Sequence, residues 1–162
     1  MERIPLRHPL LFGEYELTID DKNRLLVPSE IRKGIHSERD GEAFFMVVGV
    51  NKLPWLYTER YYEVLANEVP GDITPGEDML EFDQMRFAMT SRLEPDKQGR
   101  MLIPEKTLRR TGLGKEITLI GVKDHLELWN RADWEARRDV LMARSAEVTL
   151  RAKQAMQSPR NA

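Results

Sequence analysis

The sequence predicts a mainly β fold with short helices, of the α+β class, built from two tandem pseudo-symmetric halves that close a small barrel together. Three observations predict it. Asp20-Asp21-Lys22-Asn23-Arg24-Leu25-Leu26-Val27-Pro28 returns as Asp96-Lys97-Gln98-Gly99-Arg100-Met101-Leu102-Ile103-Pro104, with Asp, Arg and Pro each displaced by 76 residues. Val47-Val48-Gly49-Val50-Asn51-Lys52 is answered by Leu119-Ile120-Gly121-Val122-Lys123-Asp124 at an offset of 72. Two copies are too few for a solenoid, so the repeat points to a two-fold pseudo-symmetric unit. Finally, each half holds only short strands, with too little core and too many open edges to stand alone, and interleaving the halves, within the chain or between chains, removes those edges.

The elements follow in order. Residues 1–12, with Pro5 and Pro9, read as an N-terminal arm. The first unit spans 13–67. Glu14 to Ile19 alternates polar and apolar residues, the period of a half-buried strand. Asp20 to Asn23 supplies turn chemistry, and Leu25-Leu26-Val27 is a short apolar strand ended by Pro28. Ser29 is placed to cap a helix over Glu30 to Lys33, stopped by Gly34. Phe44 to Val50 and Trp55 to Tyr57 read as buried strands, and Thr58 caps a helix from Glu59 to Asn67. Residues 68–88 form an acidic linker followed by a helix from Met79 to Ala88.

The second unit, 89–132, repeats the order. Strands are expected at Thr90–Leu93, Met101–Ile103, Glu116–Val122 and Leu126–Trp129, with a helix from Glu105 to Arg110 closed by Gly112. Residues 133–162 form a C-terminal helix and tail. The helix runs unbroken from Asp133 to about Met156, and Trp134, Leu141, Val148 and Met156 mark one buried face.

Composition narrows the function classes. The chain has no cysteine, which excludes disulfides and thiolate metal sites and suits a reducing cytosol. Met1 to Pro9 lacks a sustained apolar segment, against a signal peptide, and no apolar run is long enough to cross a bilayer. The expected location is the cytoplasm. The net charge of −2 hides a strong asymmetry. Residues 59–83 carry eight acidic groups and one basic group, whereas residues 84–162 carry sixteen basic and ten acidic. Screening limits each charge to a reach of about 10 Å at moderate salt, so a basic surface can work beside an acidic one.

The repeated turn has two readings. In the mechanical one, Asp20 and Asp96 accept backbone N–H groups of their own turns and pair with Arg24 and Arg100. Gly99 permits positive φ at the fourth position, and Asn23, the next most tolerant residue, stands there in the first copy. In the functional reading, Arg24, Arg100, Lys22 and Lys97 face a polyanion, because the planar arginine fork suits phosphate oxygens and guanine edges. Arg32 and Arg109 are candidates for added phosphate contacts. Lys33 and Arg110 read as helix-terminal charges complementing the dipole.

The two Asp-x-x-x-Arg turns, the Arg-apolar₃-Pro continuations and the Gly-Val strand in each half resemble the MraZ family of bacterial transcriptional regulators. The resemblance runs from about Phe12 to Glu135. It implies two SpoVT-AbrB units forming a swapped-hairpin, double-psi-like barrel. It also implies a ring-like homo-oligomer presenting Arg24 and Arg100 to direct repeats in double-stranded promoter DNA, with Asp20 and Asp96 ordering the turns, and hence association with the nucleoid. The chain departs from the family pattern in Asn23, where the first turn usually has Gly, in a longer N-terminal arm, and in its acidic 68–83 connection.

An enzyme is the weaker class. His8, His36 and His125 lack metal-ligand spacing, and there is no phosphate loop, nucleophile elbow or cysteine nucleophile. No catalytic residue, metal or cofactor is expected. Trp55, Trp129 and Trp134 read as core or interface residues. The serious rival is a protein-interaction module, since AbrB-like domains also serve as antitoxins.

Overall fold

A computed structural model of the chain describes residues 8–158. The chain divides into two compact units, one ending at Asn130 and the other beginning at Arg131. In the first unit the order is β1 (Glu14–Thr18), β2 (Arg24–Leu26), α1 (Ser29–Gly34), α2 (Ser37–Asp40), β3 (Phe44–Val48), β4 (Pro54–Thr58) and α3 (Glu59–Glu68). It continues through α4 (Glu77–Ala88), β5 (Ser91–Leu93), β6 (Arg100–Leu102), α5 (Glu105–Thr111), β7 (Glu116–Gly121) and β8 (Leu126–Asn130). The second unit is α6 (Arg131–Ala143) and α7 (Ser145–Gln157).

The strands form a six-stranded sheet in the order β1-β7-β8-β4-β3-β5 and a two-stranded ribbon, β2-β6, and every pair is antiparallel. The first strand of each half is exchanged: β1 joins β7 of the second half, and β5 joins β3 of the first. Replacing each strand by its counterpart reproduces the same sheet in reverse, so the repeat is a two-fold pseudosymmetry in space. At two places a residue faces its own copy. Leu25 pairs with Met101 in the ribbon, at the offset of 76, and Trp55 pairs with Glu127 between β4 and β8, at the offset of 72.

Sheet and ribbon share one core. Leu25, Val27, Met101 and Ile103 from the ribbon segments join Leu119 and Leu128 of the sheet, all at most 1% exposed. The apolar triplets are not wholly core, however. Their middle residues, Leu26 and Leu102, are 44% and 62% exposed, because a strand turns alternate side chains to opposite faces. The repeated glycine is a packing requirement in both halves. A Cβ on Gly49 would run into the Trp55 indole, and one on Gly121 would run into the backbone at Leu11 and Phe12. Leu11 is itself buried and exchanges two backbone hydrogen bonds of 2.8 Å with Lys123, so this end of the arm is part of the sheet.

A polar network fills the seam beside Trp55. His125 stacks on the Trp55 indole with ring centroids 4.1 Å apart. Its ring nitrogens lie 2.8 Å from Asp124 Oδ1 and 2.8 Å from Glu127 Oε2. Asn51 Nδ2 and Trp129 Nε1 donate to Glu127 Oε1, and the Tyr61 hydroxyl donates to Asp124. Burial opposes a charged imidazole, but the two carboxylates outweigh it and raise the His125 pKa above its ordinary value.

Four expectations need correction. Pro28, not Ser29, holds the cap position of α1; its extended φ of −55° and ψ of 141° suit a cap, and its carbonyl accepts the N–H groups of Ile31 and Arg32. Thr58 stands at the cap of α3 without a side-chain cap bond, its hydroxyl buried and unpartnered. The long final helix is broken at Arg144, which leaves helical geometry at φ −112° and ψ 19° while its guanidinium binds Glu147. No residue of α6 or α7 is buried, so the stripe is not the expected buried face: Trp134 and Leu141 are half-buried, and Val148 and Met156 are exposed. Among the described residues no helix is long and apolar enough to cross a membrane.

Candidate nucleic-acid interface

The two Asp turns stand at the entrances to β2 and β6. In the first, Asp20 Oδ1 accepts the N–H groups of Lys22 and Arg24, both at 2.9 Å. In the second, Asp96 Oδ1 accepts those of Gln98 at 2.9 Å and Arg100 at 3.0 Å. Each turn is also closed on its main chain, by Asp20 N–H to the Arg24 carbonyl at 3.0 Å and Asp96 N–H to the Arg100 carbonyl at 2.9 Å. The fourth position takes positive φ in both copies, 61° at Asn23 and 85° at Gly99. That conformation suits glycine and, next to it, asparagine.

Each turn is tied to the other copy's strand. Val27 N–H donates to the Gly99 carbonyl at 2.9 Å, and Ile103 N–H donates to the Asn23 carbonyl at 2.8 Å. These bonds extend the β2–β6 ladder, in which Arg24 faces Leu102 and Leu26 faces Arg100. With Leu25 and Met101 fully buried, Arg24, Leu26, Arg100 and Leu102 share the outward face of the ribbon. The structure thus brings the two arginines, 76 residues apart in sequence, onto one surface.

The arginines are held differently. Arg24 Nε donates to Asp20 Oδ2 at 2.9 Å, an ion pair with both side chains about a third exposed, at 36% and 38%. Asp96 accepts only main-chain N–H groups among the bonds described, and Arg100 is exposed. The Arg24 N–H is the main influence holding the Asp20 carboxyl below its ordinary pKa, partly opposed by desolvation and reinforced by the guanidinium. The Arg100 N–H does the same for Asp96, again against some desolvation, helped by the Gln98 N–H and by the positive charges of Arg100 and Arg24. Both carboxylates are therefore ionised at neutral pH.

Other basic side chains take different places. Lys22 and Lys97 are exposed within the turns, and Arg109 is exposed in the last turn of α5. Arg32 bends back instead: its Nε donates to the Val27 carbonyl at 3.0 Å, and its guanidinium lies where a Cβ on Gly99 would come within 2.9 Å. It braces the second turn. Lys115, absent from the sequence reading, does so for the first, with Nζ donating to Asn23 Oδ1 at 2.7 Å and to the Asp20 carbonyl at 3.3 Å. Strand alternation also puts Leu26 and Leu102 on the arginine face.

The chain is similar to known proteins over most of its length. A family model described as "MraZ protein, putative antitoxin-like" matches residues 86–155. A protein of Acetivibrio thermocellus named transcriptional regulator MraZ is 31% identical over 127 residues, covering 78% of this chain and 85% of that protein. Proteins of the same name from Clostridium tetani and Clostridium botulinum are 29% and 32% identical over 130 and 125 residues. These alignments cover 80% and 77% of this chain, and 88% and 84% of the relatives.

Proposed function

We infer the function from one premise: this chain belongs to the MraZ family. We propose that it is a DNA-binding transcriptional regulator and not an enzyme, and that it meets DNA through the two Asp turns and the ribbon between them. The observation that carries this reading is the placement of Arg24 and Arg100 on one outward face of the ribbon, fixed by hydrogen bonds that link each turn to the other copy. Arg24 and Arg100 are the principal DNA contacts, Lys22 and Lys97 flank them, and Arg109 supplies a phosphate contact. Asp20, Asp96, Asn23 and Gly99 order the turns. Arg32 acts mainly as a brace, given its bond to the Val27 carbonyl.

The chain acts as a homo-oligomer, ring-like in form, so that several copies of the same surface meet short direct repeats in promoter DNA. Exposed apolar residues on α4, among them Met85, and on α6 and α7, among them Met142 and Met156, favour self-association. Sedimentation at micromolar concentration is expected to show a species well above the 18.9 kDa of one chain; a monomer alone removes the ring.

The test of the interface is a gel shift with Arg24→Ala plus Arg100→Ala. Each lost arginine contact is worth about 1–3 kcal/mol, so the double variant is expected to bind about thirtyfold more weakly or worse. Wild-type affinity should fall steeply with salt. Undiminished binding by the variant would sink the turn assignment. A second reading, an antitoxin-type interaction module, draws on the family's description and on the exposed apolar residues of α6 and α7. Failure of the wild-type chain to enrich any sequence from random duplex DNA would favour it.

A further inference from the structure

We propose that Leu26 and Leu102 are specificity-determining residues that contact the 5-methyl groups of thymines; this rests on the DNA reading of the ribbon proposed above. A single exposed leucine needs no explanation. Here two leucines stand exposed, 44% and 62%, at positions related by the repeat, each directly opposite one of the two arginines across the ribbon. The neighbours on either side of each, Leu25 and Val27, Met101 and Ile103, are at most 1% exposed. Folding therefore uses the flanking apolar residues and leaves these two in water.

The arrangement fits a DNA groove. A two-stranded ribbon enters the major groove, where thymine presents its methyl group and guanine presents two acceptors to an arginine fork. Side chains two residues apart on a strand are separated by about 6.6 Å, close to two base-pair steps. Arg24 and Leu26 on β2, and Arg100 and Leu102 on β6, have this spacing. The ribbon's dyad passes between Leu25 and Met101, so one arginine and one leucine fall to each side. An apolar contact beside each arginine also excludes water from its hydrogen bonds to a base edge. Each bound element should therefore hold a thymine within about two base pairs of each contacted guanine, in an arrangement repeated about a local dyad. Self-association through this face is disfavoured, because it would bring arginines of two copies together.

The test begins by selecting bound duplexes from a random library with the full-length wild-type chain. The enriched duplex is then resynthesised with deoxyuridine for thymidine, which deletes only the methyl groups. Wild type is expected to lose about fourfold in affinity for each methyl it contacts. Leu26→Ala plus Leu102→Ala should bind the thymine duplex more weakly and bind both duplexes equally, with an unchanged salt slope. Arg100→Ala, by contrast, should keep the methyl preference. Equal binding of the two duplexes by wild type would overturn the inference while leaving the DNA reading standing. No selection of any duplex would remove both. A leucine variant that loses only self-association, with methyl preference intact, would overturn the inference in favour of a contact between copies.

Discussion

The two Asp turns are one design held in two ways. In the first, Asp20 grips the main chain and the Arg24 guanidinium, and Lys115 reaches across from the second half to brace Asn23. In the second, Asp96 among the described residues grips only the main chain, Gly99 relieves the backbone, and Arg32 folds over it from the first half. One arginine is pre-oriented and partly neutralised, and the other is exposed. The difference teaches that a pseudosymmetric surface can present two contacts of the same kind with unequal order. A pre-oriented fork loses less freedom on binding, and an unpaired one keeps more of its charge for phosphate.

Conservative replacements sharpen that contrast most. Arg24→Lys should cost about 1–3 kcal/mol of DNA affinity, nearly as much as Arg24→Ala, because lysine has no planar fork for Asp20 to orient. Arg100→Lys should recover part of the loss of Arg100→Ala, since a point charge still meets phosphate. Titrations at one salt concentration check both, and equal behaviour of the two lysine variants would break the distinction. Next in size is the backbone. Gly99→Ala should destabilise the fold by about 1–2 kcal/mol in urea unfolding, from its positive φ and the Arg32 side chain in the way. Asn23→Gly should change stability by less than about 0.5 kcal/mol, because relief at φ 61° offsets the lost bond to Lys115.

The smallest effect is on acid stability. Asp20 and Asp96 both have folded pKa values below their ordinary one. Their stabilisation is thus present above the unfolded value of about 3.9 and lost as pH falls through the folded values. Asp20→Asn and Asp96→Asn should each flatten the acid limb of an unfolding profile. The first should do so more, because Asp20 also loses its bond to the Arg24 guanidinium. A larger effect from Asp96 would reverse the account of which aspartate also holds a guanidinium.

Local signals carried much of this into the sequence. Strand alternation, the terminating prolines and the demand for positive φ at Asn23 and Gly99 are properties of neighbouring residues, and the strands and turns lie close to where these put them. The small core of either half pointed to interleaving, and the exchange of β1 and β5 is the form it takes. What stayed hidden was long-range or very short. Lys115 and Arg32 have no local pattern that announces which turn they brace. The four-residue α2 is too short for helical periodicity, and the break at Arg144 has neither proline nor glycine to mark it. His125 looked scattered in sequence because one member of its network, Asn51, lies 76 residues from Glu127.

The seam where Trp55 faces Glu127 has a wider consequence. Two identical polypeptides meeting about a dyad must put the same side chain on both sides of it, so that position could hold only Trp against Trp or Glu against Glu. Carrying both halves on one chain lifts this demand of self-complementarity. One side has become an aromatic plate and the other a carboxylate, with His125 lying on the first and bonded to the second. Covalent linkage thus makes available a partnership that a symmetric pair of subunits has no means to encode.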